Sequence, residues 1–216
     1  YFSPLELRSL KATGIMYGLM AGIDAWQDAG LQDPEGKDSP PDWQSACFFG
    51  AGLAGAEVVR DAAYHIDQQQ VKRLGSTTVP QVMSSGVSAF LGGRLGLGNQ
   101  VMTNASACST GTESILLAYR HLQLGLADRV LCGSCDSGGP YVWGGFDAMR
   151  VMTRKFNEQP EAGSRPLSAT ASGFVPGSGA GALVLETLAS AQKRGARIYA
   201  EVLGGAINSG GQQQGG

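Results

Sequence analysis

The central stretch of the sequence reads Asn104-Ala105-Ser106-Ala107-Cys108-Ser109-Thr110-Gly111. Residues 100–103 before it have the pattern of a short strand, and residues 115–122 after it have that of a helix. Cys108 therefore lies on a turn of small residues where a strand passes into a helix. A helix N-terminus favours thiolate over thiol, and small neighbours leave room for a substrate carbonyl. These features predict a nucleophile; the other interpretation is a small buried cysteine, as most free cysteines are.

The composition is that of a folded protein with few surface charges. Of 216 residues, 43% are hydrophobic and 16% are charged, and the 33 glycines follow no period. The net charge of −2 without a basic cluster argues against nucleic-acid binding, and no apolar run approaches the roughly 18 residues of a membrane span. Four unevenly spaced cysteines and no signal-peptide pattern predict reduced thiols and a cytoplasmic location. Because the chain opens on Tyr1 without a methionine, we expect part of a longer protein.

Strand and helix patterns alternate along the chain, which predicts an α/β fold with a mostly parallel sheet. Strands are expected at residues 45–49, 100–103, 129–132, 182–186 and 197–203, the first without polar alternation and hence buried on both faces. Helices are expected at residues 11–30, 56–72, 80–95, 115–122, 145–152 and 189–194, with a Gly-rich loop at 134–145. The buried side of the 80–95 helix should carry Val82, Met83, Val87, Phe90 and Leu91.

Two glycine-rich runs and one cysteine pair have the spacing of cofactor or metal sites, but packing explains them better. Residues 50–55 match G-x-G-x-x-G, the fingerprint of a dinucleotide-binding site. Such a site also needs a second strand that ends in an acid for ribose binding, but a polar helix is expected there, so a tight turn is favoured. Cys132 and Cys135 form a C-x-x-C pair that ends an apolar strand, which favours two buried residues. Residues 177–181 precede a strand, so a packing turn is favoured over a phosphate loop. The sequence thus predicts no cofactor and no metal.

Histidine, the usual base beside a cysteine nucleophile, is scarce. His121 lies 13 residues along the helix from Cys108, about 20 Å at 1.5 Å per residue, and cannot be the base. His65 lies on a polar helix and is expected to face solvent. The partners of a catalytic Cys108 therefore lie outside this chain, or Cys108 is not catalytic.

A series of motifs, in order, resembles the elongating β-ketoacyl-acyl-carrier-protein synthases of types I and II. Residues 107–111, Ala-Cys-Ser-Thr-Gly, are similar to the family's nucleophile motif A-C-x-[ST]-G. Further pieces that resemble the family are the first helix at 17–31, the Gly-rich turn at 49–55, the G-x-A-D strand entry at 125–131, Ser164-Arg165-Pro166, Gly173-Phe174-Val175, the run at 177–186, and residues 194–201.

The resemblance implies a thiolase-type fold, with two similar halves in five αβαβα layers, and a homodimer. It places residues 1–187 in the N-terminal half, without its first strand, and residues 188–216 at the start of the C-terminal half. The family's two catalytic histidines and its lysine belong to that second half. By resemblance Cys108 is the catalytic residue, its N–H an oxyanion donor, and Phe146 the substrate-binding aromatic that gates the acyl pocket, although core packing explains Phe146 equally well.

The activity implied by the resemblance is condensation in fatty-acid or related polyketide-type synthesis. Cys108 would take an acyl group from an acyl carrier protein, and the carbanion left when malonyl–carrier protein loses CO2 would attack the acyl-Cys108 carbonyl. The alternatives are another acyltransferase of the same fold, such as a thiolase or an acyl esterifier, and a non-catalytic partner subunit of a ketosynthase heterodimer. Cys108 argues against the last of these.

Several positions depart from the family's pattern. Ser168, Ala171-Ser172 and Ser178 replace charged residues, and Glu113 stands where a neutral residue or histidine is usual. We expect the chemistry to survive these changes. The sequence does not define the preferred acyl chain length, the primer or the biosynthetic pathway.

Overall fold

The computed structural model of the protein describes residues 1–36 and 38–211. Its helices are α1 (Pro4–Ser9), α2 (Thr13–Asp28), α3 (Ala56–Asp67), α4 (Thr78–Val82), α5 (Gly86–Leu95), α6 (Thr110–Gln123), α7 (Pro140–Ala148) and α8 (Leu188–Lys193). Its strands are β1 (Ser45–Ala51), β2 (Val101–Met102), β3 (Arg129–Asp136) and β4 (Gly179–Glu186). Short 3-10 turns lie at Val71–Arg73, Ala107–Ser109 and Pro160–Ala162.

The strands form one mixed sheet in the order β2-β1-β3-β4. The central strand β1 runs parallel to both β2 and β3, whereas β4 runs antiparallel to β3. Every residue of β1 is buried, as its lack of polar alternation predicted. The prediction of an α/β fold with a mostly parallel sheet is thus confirmed.

Helices cover both faces of the sheet. Cys47 and Phe49 of β1 face the layer formed by α2 and α5 and belong to the larger core cluster. The alternate residues Ala46 and Phe48 face α6 on the other side, because successive side chains of a strand point to opposite faces. The predicted stripe of α2 is buried in the first of these cores: Ile15, Leu19, Ile23 and Trp26.

The expected helix over residues 80–95 is wrong, because the structure has two helices there. Met83 is extended and ends α4, and α5 begins only at Gly86. Gly86 packs against the end of α4, where a Cβ would lie 2.1 Å from the carbonyl oxygen of Pro80. Val82 and Met83 are consequently exposed, whereas Val87 is buried as expected.

Two other helix boundaries also differ from the prediction. α3 ends at Asp67 instead of residue 72, and Gln69 beyond it has a left-handed φ of 56°. The helix expected at 145–152 is α7, which begins inside the predicted loop with Pro140 in its first turn. Proline is favoured at that position, so the signal was present in the sequence and was assigned to the loop.

The strand expected at residues 197–203 is also wrong for this structure. Within the residues that the structure describes, no strand pairs with this segment, and a strand forms only beside a partner. The segment is held by side chains instead, since Tyr199 donates to Asp28 at 3.0 Å and Tyr119 donates to the Leu203 carbonyl at 3.3 Å. In residues 1–36 and 38–211, no helix has both the length and the apolar character required to cross a membrane.

An ion pair at the end of β4 fixes α8 to the sheet. The side chain of Glu186 is only 7% exposed, and it accepts hydrogen bonds from Arg194 at 2.7 Å and from Ser190 at 2.7 Å. Burial alone would raise the pKa of Glu186, but the bonds from Arg194 and Ser190 and the charges of Arg194 and Arg129 together lower it. The ionised carboxylate therefore stabilises the folded state.

We expect Glu186→Gln to lower the free energy of unfolding at pH 7 by about 1.5–3 kcal/mol, the usual worth of hydrogen bonds to charged groups. Because the folded pKa lies below the ordinary 4.5, the stabilisation is present above pH 4.5 and is lost as the pH falls through the folded pKa. Urea unfolding across this pH range measures the difference from wild type. Glu158→Gln, which changes an exposed acid, is the control. A difference in the free energy of unfolding between wild type and Glu186→Gln that stays constant down to pH 3 would contradict this explanation.

Candidate active site

The carboxyl ends of the three parallel strands lie at one edge of the sheet. The chain leaves this edge after β1 at residues 52–55, after β2 at residues 103–109 and after β3 at residues 137–139. Ligand sites of open α/β sheets lie at this edge. Residues 104–111, named the Cys108 turn below, comprise most of the connection after β2 and the first two residues of α6.

The Cys108 turn places its cysteine where the sequence predicted, between β2 and α6. Cys108 is the middle residue of the 3-10 turn Ala107–Ser109, and α6 begins two residues later at Thr110. Its side chain is exposed, unlike those of the other cysteines. Ala107 has a left-handed φ of 49°, a conformation that a non-glycine residue keeps only when its surroundings hold it.

Hydrogen bonds of two side chains hold the backbone of the turn. The Thr110 hydroxyl accepts from the Ser106 N–H at 2.8 Å and donates to the Ala107 carbonyl at 2.7 Å. Asn104 donates through Nδ2 to the Thr110 carbonyl at 2.9 Å, and its Oδ1 accepts from the Ser114 hydroxyl at 2.6 Å. The left-handed Ala107 is thus fixed from both sides.

Two glycines let the turn lie directly against the sheet. At Gly50 of β1, a Cβ would lie 2.1 Å from Cγ2 of Thr110 and 2.8 Å from the Asn104 carbonyl oxygen. At Gly111, a Cβ would lie 2.6 Å from Oγ of Ser134 on β3. The Cys108 turn therefore packs against the ends of both β1 and β3.

A carboxylate lies beside the turn. Glu113 in the first turn of α6 accepts hydrogen bonds from the hydroxyl of Ser106, and from that of Ser109 at 3.2 Å. The two serines flank Cys108 on either side. Sequence reasoning noted Glu113 only as a departure and missed the roles of Asn104, Thr110 and Glu113; the spacing Ser106/Ser109/Glu113 was the available signal.

The remaining cysteines are buried, as the interpretation of the C-x-x-C pair predicted. Cys132 and Cys135 belong to the cores on opposite faces of the sheet and therefore cannot act as a pair. Burial raises the pKa of each of these two thiols to about 12, with the charge of Asp136 adding to the effect at Cys135. Burial and then the neighbouring Cys132 also raise the pKa of the Cys47 thiol.

Neither histidine lies at the Cys108 turn. His121 is buried in the last turn of α6, against the Phe48 ring and 3.1 Å from Oδ1 of Asn99, and burial lowers its pKa. His65 was expected to face solvent, which is wrong: its side chain is 18% exposed and lies 3.8 Å from Asp61. The ring faces Asp61 because residues four apart on an α-helix lie on the same side of it.

Phe146 lies on α7 and is half-buried. Its ring packs edge-on against Phe174 with the centroids 5.3 Å apart. Phe146 lies on the helix that follows β3, whereas Cys108 lies in the connection that follows β2. An open cleft of about 640 Å³ begins at the next residues, and it is lined by Asp147, Ala148, Arg150, Met152, Arg154, Lys155 and Ser172.

Of the two glycine-rich runs, residues 52–55 form the predicted turn after β1, whereas the turn expected at 177–181 is wrong in part, because residues 179–181 belong to β4 and pair with β3. Leu53, in the loop after β1, donates its N–H to Oδ1 of Asp136 at 2.6 Å and accepts from the Ser137 N–H at 3.0 Å. This ties the loop to the end of β3. Ser178 packs against Gly138, where a Cβ would lie 2.9 Å from the Ser178 Cβ, so the 177–181 run also serves packing. Among residues 1–36 and 38–211 there is no cluster of three metal-ligating side chains.

The fold and this site define an α/β protein that presents one exposed cysteine on a strand-to-helix turn. The chain belongs to the β-ketoacyl synthase family, because residues 6–191 match the model of the "Beta-ketoacyl synthase, N-terminal domain". It is 31% identical over 205 residues to a 3-oxoacyl-[acyl-carrier-protein] synthase 2 of Vibrio cholerae, covering 94% of this chain and 48% of the relative. A synthase of the same name from Rhizobium meliloti is 34% identical over 205 residues, with the same coverage of 94% and 48%. The chain thus spans about half the length of these curated relatives.

Solved structures agree with this assignment. A β-ketoacyl synthase from Burkholderia phymatum superposes with a TM-score of 0.78 at 27% identity, covering 91% of this chain and 47% of that one. A type II polyketide-synthase structure, AntDE:AntF, in which a ketosynthase is in complex with its acyl-carrier protein, superposes with a TM-score of 0.74 at 25% identity, covering 91% and 48%. The fold is therefore the thiolase type that the sequence predicted.

The burial pattern predicts which thiol reacts first. Within residues 1–216 of the native protein, we expect iodoacetamide at pH 8 to modify Cys108 alone, because burial raises the pKa of each of the other three thiols. Urea should expose all four cysteines to the reagent. Peptide mapping by mass spectrometry identifies the alkylated cysteines. Modification of Cys132 while Cys108 stays unmodified would contradict the exposure of Cys108 and the burial of Cys132.

Proposed function

We propose that the protein of which this chain is part is a 3-oxoacyl-[acyl-carrier-protein] synthase with Cys108 as its nucleophile. The observation that carries the proposal is the exposed cysteine on the turn before α6, in a chain of the β-ketoacyl synthase family. The relatives named 3-oxoacyl-[acyl-carrier-protein] synthase match over most of this chain, which supports the same reaction.

The first step is acyl transfer. The Cys108 thiolate attacks the thioester carbonyl of an acyl-carrier protein, a new S–C bond forms, and the carrier thiolate leaves and takes up a proton. Among the described residues no acceptor takes the Cys108 N–H, so it is free to donate to the developing oxyanion. One oriented donor of this kind is worth about 2.7–4 kcal/mol.

The second step is decarboxylative condensation. Malonyl–carrier protein loses CO2, and its carbanion attacks the acyl-Cys108 carbonyl. A C–C bond forms, the S–C bond to Cys108 breaks with the thiolate as leaving group, and the β-ketoacyl product, two carbons longer, stays on the carrier protein. His65 and His121 lie in other contacts, which supports placing the catalytic histidines in a C-terminal half that begins near residue 188. Residues 1–187 would then form the N-terminal, nucleophile-bearing half.

We also propose Phe146 as the residue that gates the acyl pocket. Its half-buried ring at the end of α7, next to an open cleft, supports a side chain that can move when an acyl chain enters. Truncating the residue would then alter chain-length preference. At the replaced positions, Ser168 hydrogen-bonds to Thr170, Ser172 hydrogen-bonds to Thr153, and Ser178 packs against Gly138. None of these contacts involves the Cys108 turn, which supports retained chemistry.

The partners we propose are acyl carrier protein and a second copy of the same protein. The AntDE:AntF structure, which contains a carrier protein with its ketosynthase, supports the first. The small charged fraction of 16% supports an extensive subunit interface. We propose a cytoplasmic location, because disulfides are rare in reducing compartments and all four cysteines of the chain are free.

Intact mass spectrometry after incubation with an acyl-carrier protein tests the proposal. We expect the full-length protein to gain the mass of one acyl group, and Cys108→Ala to gain none. Cys135→Ala, which removes a buried thiol outside the turn, is the matched control and should still be acylated. Acylation of Cys108→Ala at the wild-type rate would remove Cys108 from the mechanism.

A further inference from the structure

One carboxylate holds both serines that flank the nucleophile. Glu113 accepts from the hydroxyl of Ser106 on Oε2, and its Oε1 lies 3.2 Å from the hydroxyl of Ser109, whose single proton it shares with the Ser106 carbonyl oxygen. The Ser109 hydroxyl also lies 2.8 Å from the Ser106 carbonyl oxygen, and the Ser109 N–H donates to that same oxygen at 3.1 Å. Ser106, Ser109 and Glu113 thus close a ring of hydrogen bonds around the backbone of Cys108.

The ring surrounds the backbone that carries the Cys108 sulfur. In the described part of the chain the Cys108 side chain makes no hydrogen bond of its own, so the backbone alone orients it. Ala107 before it is left-handed, and such a residue relaxes unless its neighbours hold it. Thr110 fixes the backbone on one side of the turn, and Glu113 fixes the serine hydroxyls on the other.

We propose that Glu113 is a positioning residue for Cys108: through Ser106 and Ser109 it holds the turn in the orientation that acyl transfer requires. This rests on the proposed function. An ionised carboxylate accepts on both oxygens and can hold both hydroxyls, whereas a glutamine side chain accepts on only one. Acyl transfer requires the sulfur to lie in line with the thioester carbonyl, and a displacement of an ångström is costly.

A competing role for Glu113 is to stabilise α6 alone. An acid in the first turn of a helix interacts favourably with the helix dipole, whatever the serines do. The two roles differ in what they predict for Ser106. If Glu113 acts through the serine, removing the hydroxyl and removing the carboxylate break the same interaction and their effects do not add.

The test compares Glu113→Gln, Ser106→Ala and the double variant in the full-length protein. The matched control is Glu158→Gln, which removes an acid from an exposed site. Three quantities are measured: the single-turnover rate of Cys108 acylation by acyl-carrier protein, the rate of its alkylation by iodoacetamide, and the hydrogen exchange of the Ser109 amide. Alkylation by a small reagent requires an exposed thiolate in no particular orientation, whereas acylation also requires the correct orientation.

We expect Glu113→Gln and Ser106→Ala each to slow acylation by about tenfold, with alkylation changed by less than about twofold. The double variant should be no slower than Glu113→Gln, and Ser109 exchange should accelerate in all three. Acylation at the control rate in Glu113→Gln would overturn the proposal, as would additive effects or an equal loss of acylation and alkylation.

The two proposals fail in different ways. If the wild-type protein takes no acyl group on Cys108, the proposed function is wrong. Hydrogen exchange of the Ser109 amide then tests the role of Glu113 independently. Faster exchange in Glu113→Gln and Ser106→Ala than in Glu158→Gln would support the proposal that Glu113 holds the turn, and unchanged exchange would overturn it.

Discussion

The site depends on the close approach of the Cys108 turn to the parallel strands. Gly50 leaves the space that Thr110 and Asn104 occupy, and Gly111 does the same for Ser134. Because interiors are close-packed, even one added methyl group at such a contact displaces its neighbours. This contact fixes the position of the turn that carries the left-handed Ala107 and the exposed sulfur.

The same sheet separates the exposed thiol from the buried ones. β1 and β3 bury Cys47, Cys132 and Cys135 between two helical layers, where burial raises the pKa of each thiol. Cys108 lies beyond the strands, in the connection, where loops carry functional groups on a rigid scaffold. One fold thus supplies both an unreactive core and one accessible sulfur.

The sequence predicted the parts of this arrangement that follow from short-range patterns. The strand-turn-helix around Cys108, the fully buried β1 and the apolar stripe of α2 are all confirmed. The break between α4 and α5 was missed because it depends on a contact of Gly86 with Pro80 that hydrophobic spacing does not show. The strand expected at 197–203 was wrong because a strand also requires a neighbour, which the apolar pattern cannot supply. The hydrogen bonds among Ser106, Ser109 and Glu113 were not predicted, because polar side chains on a turn can form many alternative hydrogen bonds and the sequence does not determine which of them form.

The proposed role of Cys108 in acyl transfer depends on the packing of the Cys108 turn against β1. The direct measurement is the single-turnover rate of acyl loading in Gly50→Ala, compared with Gly177→Ala, where an added Cβ meets no atom within 4 Å. Circular dichroism establishes that both variants are folded. The account predicts at least a tenfold slower loading in Gly50→Ala and an unchanged rate in Gly177→Ala. Loading of a folded Gly50→Ala at the wild-type rate would contradict it.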